Sequence, residues 1–229
     1  VTGSEGNIGT YIVKRLLERP DVKVVRVGRK PRQAENYYAG DLRDPVFVKK
    51  IFSENQIDYV IHAAAENYSA ELLKADPFGI LENDIASTLN VLNASRGIKK
   101  FVFLSSSSIY ESVDKVPFVE DPVASLPMPK SPIGIAKAFG ERAIEMFAAH
   151  FGIKYTMWRG FNIVSPLEPH DTSGGHVYVD FYRKLLVEKR PKIEIFGAGS
   201  QIRCFLWVED AAGAVADFLM DSRTDNQIF

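Results

Sequence analysis

Two rhythms of apolar and polar positions alternate along this chain. Short apolar or β-branched runs at residues 22–27, 58–62 and 101–104 are separated by stretches in which apolar residues return every third or fourth position. Ile8, Ile12 and Leu16 predict a helix that Pro20 ends. Asp44 is an N-cap and Pro45 a first helical residue, with Val48, Ile51 and Phe52 marking the buried face of a helix to about residue 55. Leu81, Ile85, Leu89 and Leu92 form the stripe of a long helix over 77–96, stopped by Gly97. Phe139, Ala143, Phe147 and Phe151 form the apolar face of another over 133–151, ended by Gly152. A further short strand is expected at 36–39. Residues 111–132 hold Pro117, Pro122, Pro127, Pro129 and Pro132 and read as a surface loop, a candidate lid. Strands that alternate with helices, without long hairpins, predict an α/β fold built on a doubly wound parallel sheet.

The stretch 2–9, Thr-Gly-Ser-Glu-Gly-Asn-Ile-Gly, lies between a strand residue, Val1, and the first helix. Gly3 suits a tight turn. Gly6 lets the backbone approach a ligand without a Cβ, and Gly9 lets helix and strand pack closely. With Asn7 and Ile8 opening the helix, its free N–H groups would face a pyrophosphate. The strand that follows ends in Gly28-Arg29-Lys30, with no carboxylate for a ribose 2′-hydroxyl, so Arg29 favours NADP, with NAD as the alternative. Asp41 at the next strand end is placed for an adenine amino group or for a turn. Ala63, Ala64 and Ala65 leave room for a flat ligand after strand 58–62, whose His62 reads as a packed residue. Strand 101–104 empties into four serines, Ser105 to Ser108, and Lys137 lies in the first turns of helix 133–151.

Charge narrows the partners. Lys and Arg number 28 against 29 Asp and Glu, so no global field favours nucleic acid or an anionic membrane, and anion binding must be local. One cysteine, Cys204, leaves no internal disulfide and no Cys-based zinc site. With no apolar run of membrane-spanning length and no signal peptide, the expected location is cytoplasmic. Val1-Thr2 and residues 227–229 read as strands that continue in both directions, so the fold is expected to be truncated at both ends.

These motifs together resemble the extended short-chain dehydrogenase/reductases, in the branch of NAD(P)-dependent nucleotide-sugar epimerases, dehydratases and reductases. The resemblance rests on Thr2 to Gly9, Gly40-Asp41-Leu42, His62-Ala63-Ala64-Ala65, Ser105-Ser106 with Ile109-Tyr110, Lys137, Arg159-Gly160-Phe161-Asn162, residues 196–203 and Val208-Glu209-Asp210. It implies a Rossmann domain over 1–160 and a small, incomplete α/β substrate lobe over 161–229, interleaved with it. It makes Ser106 the hydroxyl that holds the sugar oxygen and Lys137 the lysine on the nicotinamide ribose. Asp41 and Leu42 would meet adenine, Ala63 and Ala64 would line the cofactor, and Asn162 and Arg203 would face the nucleotide diphosphate. Helices 77–96 and 133–151 would pair across a homodimer.

The departure lies where the chemistry is centred. Ile133 occupies the slot four residues before the lysine where the family has its catalytic tyrosine. Cys204 and Ser165 stand where an aspartate and a glycine are usual. General acid–base help is worth about 10² to 10⁴ in rate. Two functions follow: an epimerase, reductase or dehydratase that handles the proton by another group, among them Ser106, Tyr110 or a residue of the proline-rich loop, or a weak or inactive homologue that binds nucleotide as a sensor or structural subunit.

Overall fold

The computed structural model describes every residue except 66–72, 74, 169–175 and 196. Its strands run parallel. β1 (Arg26–Gly28) pairs with β2 (Tyr37–Ala39). β3 (Tyr59–His62), β4 (Lys100–Ser106), β5 (Lys154–Gly160) and β8 (Gln227–Ile228) follow one another in a four-stranded sheet. Thr2 joins the two groups by bridging Val27 on one side and His62 on the other. The strand order therefore grows outward in both directions from Thr2, and the crevice at such a switch point is where α/β sheets take ligands.

Helices cover both faces. α1 (Gly9–Leu17) and α6 (Val208–Asp217) lay Ile12, Val13, Leu16, Ala212, Val215 and Ala216 over Ile61, Val102 and Leu104. α3 (Pro77–Ala94) and α4 (Pro132–Phe151) lay Val91, Leu92, Ile144 and Ala148 over Val60, Phe101, Phe103 and Met157. Successive residues of β4 thus serve opposite faces, as a pleated strand requires, and a strand covered twice is apolar throughout. α2 (Pro45–Glu54) starts as expected, with Asp44 accepting from the Val46 amide at 2.8 Å. Beyond β5, β6 (Ile163–Val164) pairs with β7 (Leu206–Trp207), and α5 (Val177–Tyr182) lies between them in the chain.

Three expectations change in detail. The strand expected at 22–27 is confined to Arg26–Gly28. Residues 22–25 line a cavity of about 530 Å³ that also touches residues 57–61, and Val25 O accepts from the Val1 nitrogen at 2.8 Å. The expected helix 77–96 ends at Ala94, because Ser95 turns out of helical geometry and its hydroxyl bonds the Val91 carbonyl at 2.7 Å. The core face of α4 is Lys137, Gly140, Glu141, Ile144 and Ala148, while Phe139 and Phe151 are 39% and 37% exposed. Ala143 and Phe147 of the expected apolar face do pack against the core, but the most deeply buried line lies beside them because two charged residues, Lys137 and Glu141, occupy the inner face. Gly140 allows the approach: a methyl there would lie 2.7 Å from the Phe103 ring.

Candidate functional site

The glycine turn closes on itself. Gly3 has φ +63, and a Cβ there would lie 2.7 Å from the Ala64 backbone. A Cβ on Gly9 would overlap the Gly3 carbonyl oxygen and sit 2.8 Å from its carbon. Gly6 is held by its amide to Gly3 O at 2.9 Å. No side chain caps the N-terminus of α1, where Ile8 stands at the cap position and Asn7 precedes it. A backbone loop that lacks a Cβ at Gly3, Gly6 and Gly9 and ends at an uncapped helix start fits a pyrophosphate.

Beneath the turn lies a buried hydrogen-bonded chain. The Ala64 amide donates to Thr2 Oγ1 at 3.3 Å, Thr2 Oγ1 lies 2.8 Å from His62 Nδ1, and His62 Nε2 lies 3.2 Å from Thr88 Oγ1 on α3. Burial lowers the His62 pKa to about 3, with the Lys137 charge adding to the effect. His62 is therefore a neutral connector between the turn, β3 and α3, in agreement with its reading as a packed residue.

At the end of β4, Ser106 Oγ accepts from the Ser108 amide at 3.1 Å and donates to Ser108 Oγ at 3.0 Å, turning the chain into a short helical turn, Ser107–Tyr110. Lys137 is buried, donates to Leu104 O at 2.8 Å and stands 4.9 Å over the Phe103 ring. Its pKa is lowered by burial, against which Asp84 and Glu141 act. Ile133 lies half-buried one turn before it. Gly134 sits against the serine turn, for a methyl on it would lie 2.8 Å from Ser108 O.

A cluster that sequence reading missed holds this region. Arg159 on β5 makes a bidentate pair with Glu141, at 3.0 and 2.7 Å, with both side chains almost fully buried. Arg159 Nη1 also donates to the Tyr110 hydroxyl at 2.6 Å, which donates to Val119 O at 2.9 Å. The Tyr110 ring stacks on Phe118 and Phe161, so it binds the proline-rich segment to the sheet. The available signal was Glu141 four residues after Lys137, one helical turn on and hence on the same face. Its partner, 18 residues later, has no local signature.

Other expected residues are more dispersed. Asp41 accepts from the Arg43 amide and guanidinium at 2.6–3.0 Å, forming the turn that was its alternative reading, and Leu42 packs into the core under α3. Arg29 is exposed at the end of β1. Beside it is a carboxylate absent from the sequence argument: Glu5 of the glycine turn pairs with Arg32 at 2.7 Å and approaches Gly28. Asn162 has φ 37 and donates to Cys204 O at 2.8 Å. Arg203 is exposed and bonds only its neighbour's carbonyl, Ile202 O, at 3.1 Å among the bonds described. Phe196, which opens the motif at 196–203, lies outside the described residues. Among the described residues no group of His, Cys, Asp or Glu forms a metal site, and no helix is long and apolar enough to cross a membrane.

Comparison with known proteins gives concordant findings. The model of the NAD dependent epimerase/dehydratase family matches residues 1–228. A UDP-glucose 4-epimerase of Lacticaseibacillus casei is 29% identical over 93% of this chain and 69% of its own. Among solved structures, the UDP-glucose 4-epimerase of Thermotoga maritima with UDP-glucose superposes with a TM-score of 0.84 at 29% identity, covering all of this chain and 74% of the other. The Thermus thermophilus UDP-glucose 4-epimerase in complex with NAD gives 0.80 at 27% identity, covering 96% and 73%.

Two outcomes test the buried chemistry. Arg159→Met strands the Glu141 carboxylate and should cost about 3–5 kcal/mol in urea unfolding, most of it recovered by adding Glu141→Leu; equal stability of all three proteins would contradict the buried pair. His62 binds its proton far more readily unfolded, near pH 6.5, than folded, near pH 3. Its contribution is intact above the unfolded value and drains as pH falls through that window, by about 2 kcal/mol at pH 5. His62→Asn should flatten this slope in denaturant midpoints measured from pH 7 to 5, and an unchanged slope would refute it.

Proposed function

Because this chain belongs to the NAD dependent epimerase/dehydratase family, we propose that it binds a nicotinamide dinucleotide over Thr2 and acts on a nucleotide-linked sugar by hydride transfer at a ring carbon. The observation that carries the reading is the closed glycine turn at an uncapped helix, which opens on the same sheet edge as Ser106 and Lys137. The dinucleotide would supply the hydride acceptor. Gly3, Gly6, Asn7, Ile8 and Gly9 would hold its pyrophosphate, Asp41 and Leu42 its adenine end, and Ala63 and Ala64 its flat face. Lys137, fixed by Leu104 O, keeps donors for the ribose hydroxyls. Ser106 would hold the reacting sugar oxygen, with Asn162 and Arg203 toward the diphosphate. UDP-sugars are the first substrates to try, because they are those of the relatives. Arg29 supports NADP through its reach for a 2′-phosphate, whereas Glu5 and the NAD-bound relative support NAD. The exposed Phe78, Phe139, Met146 and Phe151 on α3 and α4 support a homodimer through that face. The cytoplasm remains the proposed location.

A second reading, a nucleotide-binding protein with little turnover, has one specific observation behind it: Ile133 carries no exchangeable proton where the family's tyrosine would stand.

Single-turnover mixing of the dinucleotide-loaded protein with UDP-, dTDP-, GDP- and CDP-sugars, followed by nicotinamide absorbance and sugar analysis, separates the two. The enzyme reading expects reduced nicotinamide or a converted sugar with at least one of them, accelerated about 10² to 10⁴ by Ile133→Tyr. Binding without conversion in both proteins would overturn it. Calorimetric titration decides the cofactor: the Arg29 argument expects tighter NADP than NAD, flattened by Arg29→Asp, and equal affinities would remove it.

A further inference from the structure

If position 133 cannot exchange a proton, the site needs another hydroxyl, and the hydrogen bonds narrow the choice. Tyr110 is excluded because its oxygen accepts from Arg159 and its proton is held by Val119 O. Ser131 Oγ accepts from the Gly134 amide at 3.0 Å as the helix cap, and the Glu111 carboxylate accepts the Lys130 and Ser131 amides. Both belong to the entrance of α4 and hold it in place. Ser105 Oγ is buried without a hydrogen-bond partner, and strand alternation puts it on the opposite side of β4 from Ser106.

Ser106 and Ser108 are arranged differently. Ser106 Oγ already accepts one hydrogen bond, from the Ser108 amide, and its own proton points at Ser108 Oγ. One lone pair is left, suited to a sugar O–H. Ser108 is half-buried, within reach of solvent, and its carbonyl lies against Gly134, the residue after Ile133.

We propose that Ser108 is the second hydroxyl of a proton path that starts at Ser106 and stands in for the missing tyrosine. The proposal rests on the nucleotide-sugar reading above. In the oxidising direction the sugar O–H bond breaks and its proton goes to Ser106 Oγ. The Ser106 proton passes to Ser108 Oγ, and the Ser108 proton passes to hydroxide, forming water. Both serines finish as neutral hydroxyls, and the electron pair left on the sugar oxygen forms the new C=O bond as the C–H bond of that carbon breaks and its hydride leaves to the oxidant. The oxidant is the nicotinamide of the dinucleotide already proposed; the serines move only the proton.

The path predicts a rate that climbs with hydroxide concentration, without the plateau a titrating tyrosine would impose. The test uses the full chain, Ser108→Ala, Ser108→Thr, Ile133→Tyr and the pair Ser108→Ala with Ile133→Tyr, in single-turnover pH profiles with UDP-glucose or whichever panel sugar turns over. Ser108→Ala should slow the protein about 100-fold and Ser108→Thr should restore most of the rate. With Ile133→Tyr present, the loss from Ser108→Ala should shrink below about 10-fold and a plateau should appear. Calorimetry without turnover gives an independent readout: Ser108→Ala should weaken UDP-glucose about 5-fold by freeing the Ser106 hydroxyl to rotate, and leave UDP, which lacks the hexose, unaffected. An unaltered rate and pH profile in Ser108→Ala would overturn the path while leaving the enzyme reading in place. Binding without turnover in the parent, where Ile133→Tyr does turn over, would also overturn it. Failure of both proteins on every sugar would remove the enzyme reading itself.

Discussion

The approach of Gly9 to the carbonyl of Gly3 is the contact on which the rest of the architecture depends. A single methyl at either glycine would collide with backbone, which cannot move aside as a side chain can. Their contact sets the N-terminus of α1 directly over the bridge that Thr2 makes between β1 and β3. That bridge is the switch point of the sheet, and through His62 and Thr88 it extends under the turn to α3. His62 performs this role as an uncharged group, since burial makes its cation unfavourable. The glycine turn is thus fixed from below by neutral hydrogen bonds, and the uncapped helix terminus adds its partial positive charge above them.

Buried charge organises the other half of the crevice. α4 turns Lys137 and Glu141 toward the sheet, where Leu104 O and Arg159 satisfy them. Desolvating such groups is costly unless each finds a partner, so their presence at the end of β4 fixes the rotation of α4 about its axis. That rotation in turn places Gly134 against the serine turn, and Arg159 extends the same network to Tyr110 and the proline-rich segment. The tyrosine, which the sequence offered as a replacement acid, is held as a structural strut.

Much of this was legible beforehand because it is written in local patterns. The glycine turn, the Asp44 cap, the doubly covered strand 101–104 and the αL terminus at Gly152 each depend on adjacent residues, and each is found near its expected position. What was not legible depends on pairs distant in sequence. The inner face of α4 was read only in part, through Ala143 and Phe147, because an amphipathic reading places charge outside and only the partner at Arg159 brings Glu141 in. Glu5 was invisible as a neighbour of β1 because the strand-end argument looked for an acid about twenty residues later. Asp41 was ambiguous and remained a turn residue in its bonding.

The most direct measurement follows the hydride itself. UDP-glucose carrying deuterium at ring carbon 4 is incubated with a stoichiometric amount of protein and oxidised dinucleotide, and the cofactor and sugar are then analysed by mass spectrometry. The account predicts deuterium in the nicotinamide, or a sugar whose configuration at that carbon has changed. Deuterium retained entirely in unchanged sugar, with both ligands shown to be bound and the same result for the other nucleotide sugars labelled at their reacting carbons, would contradict it.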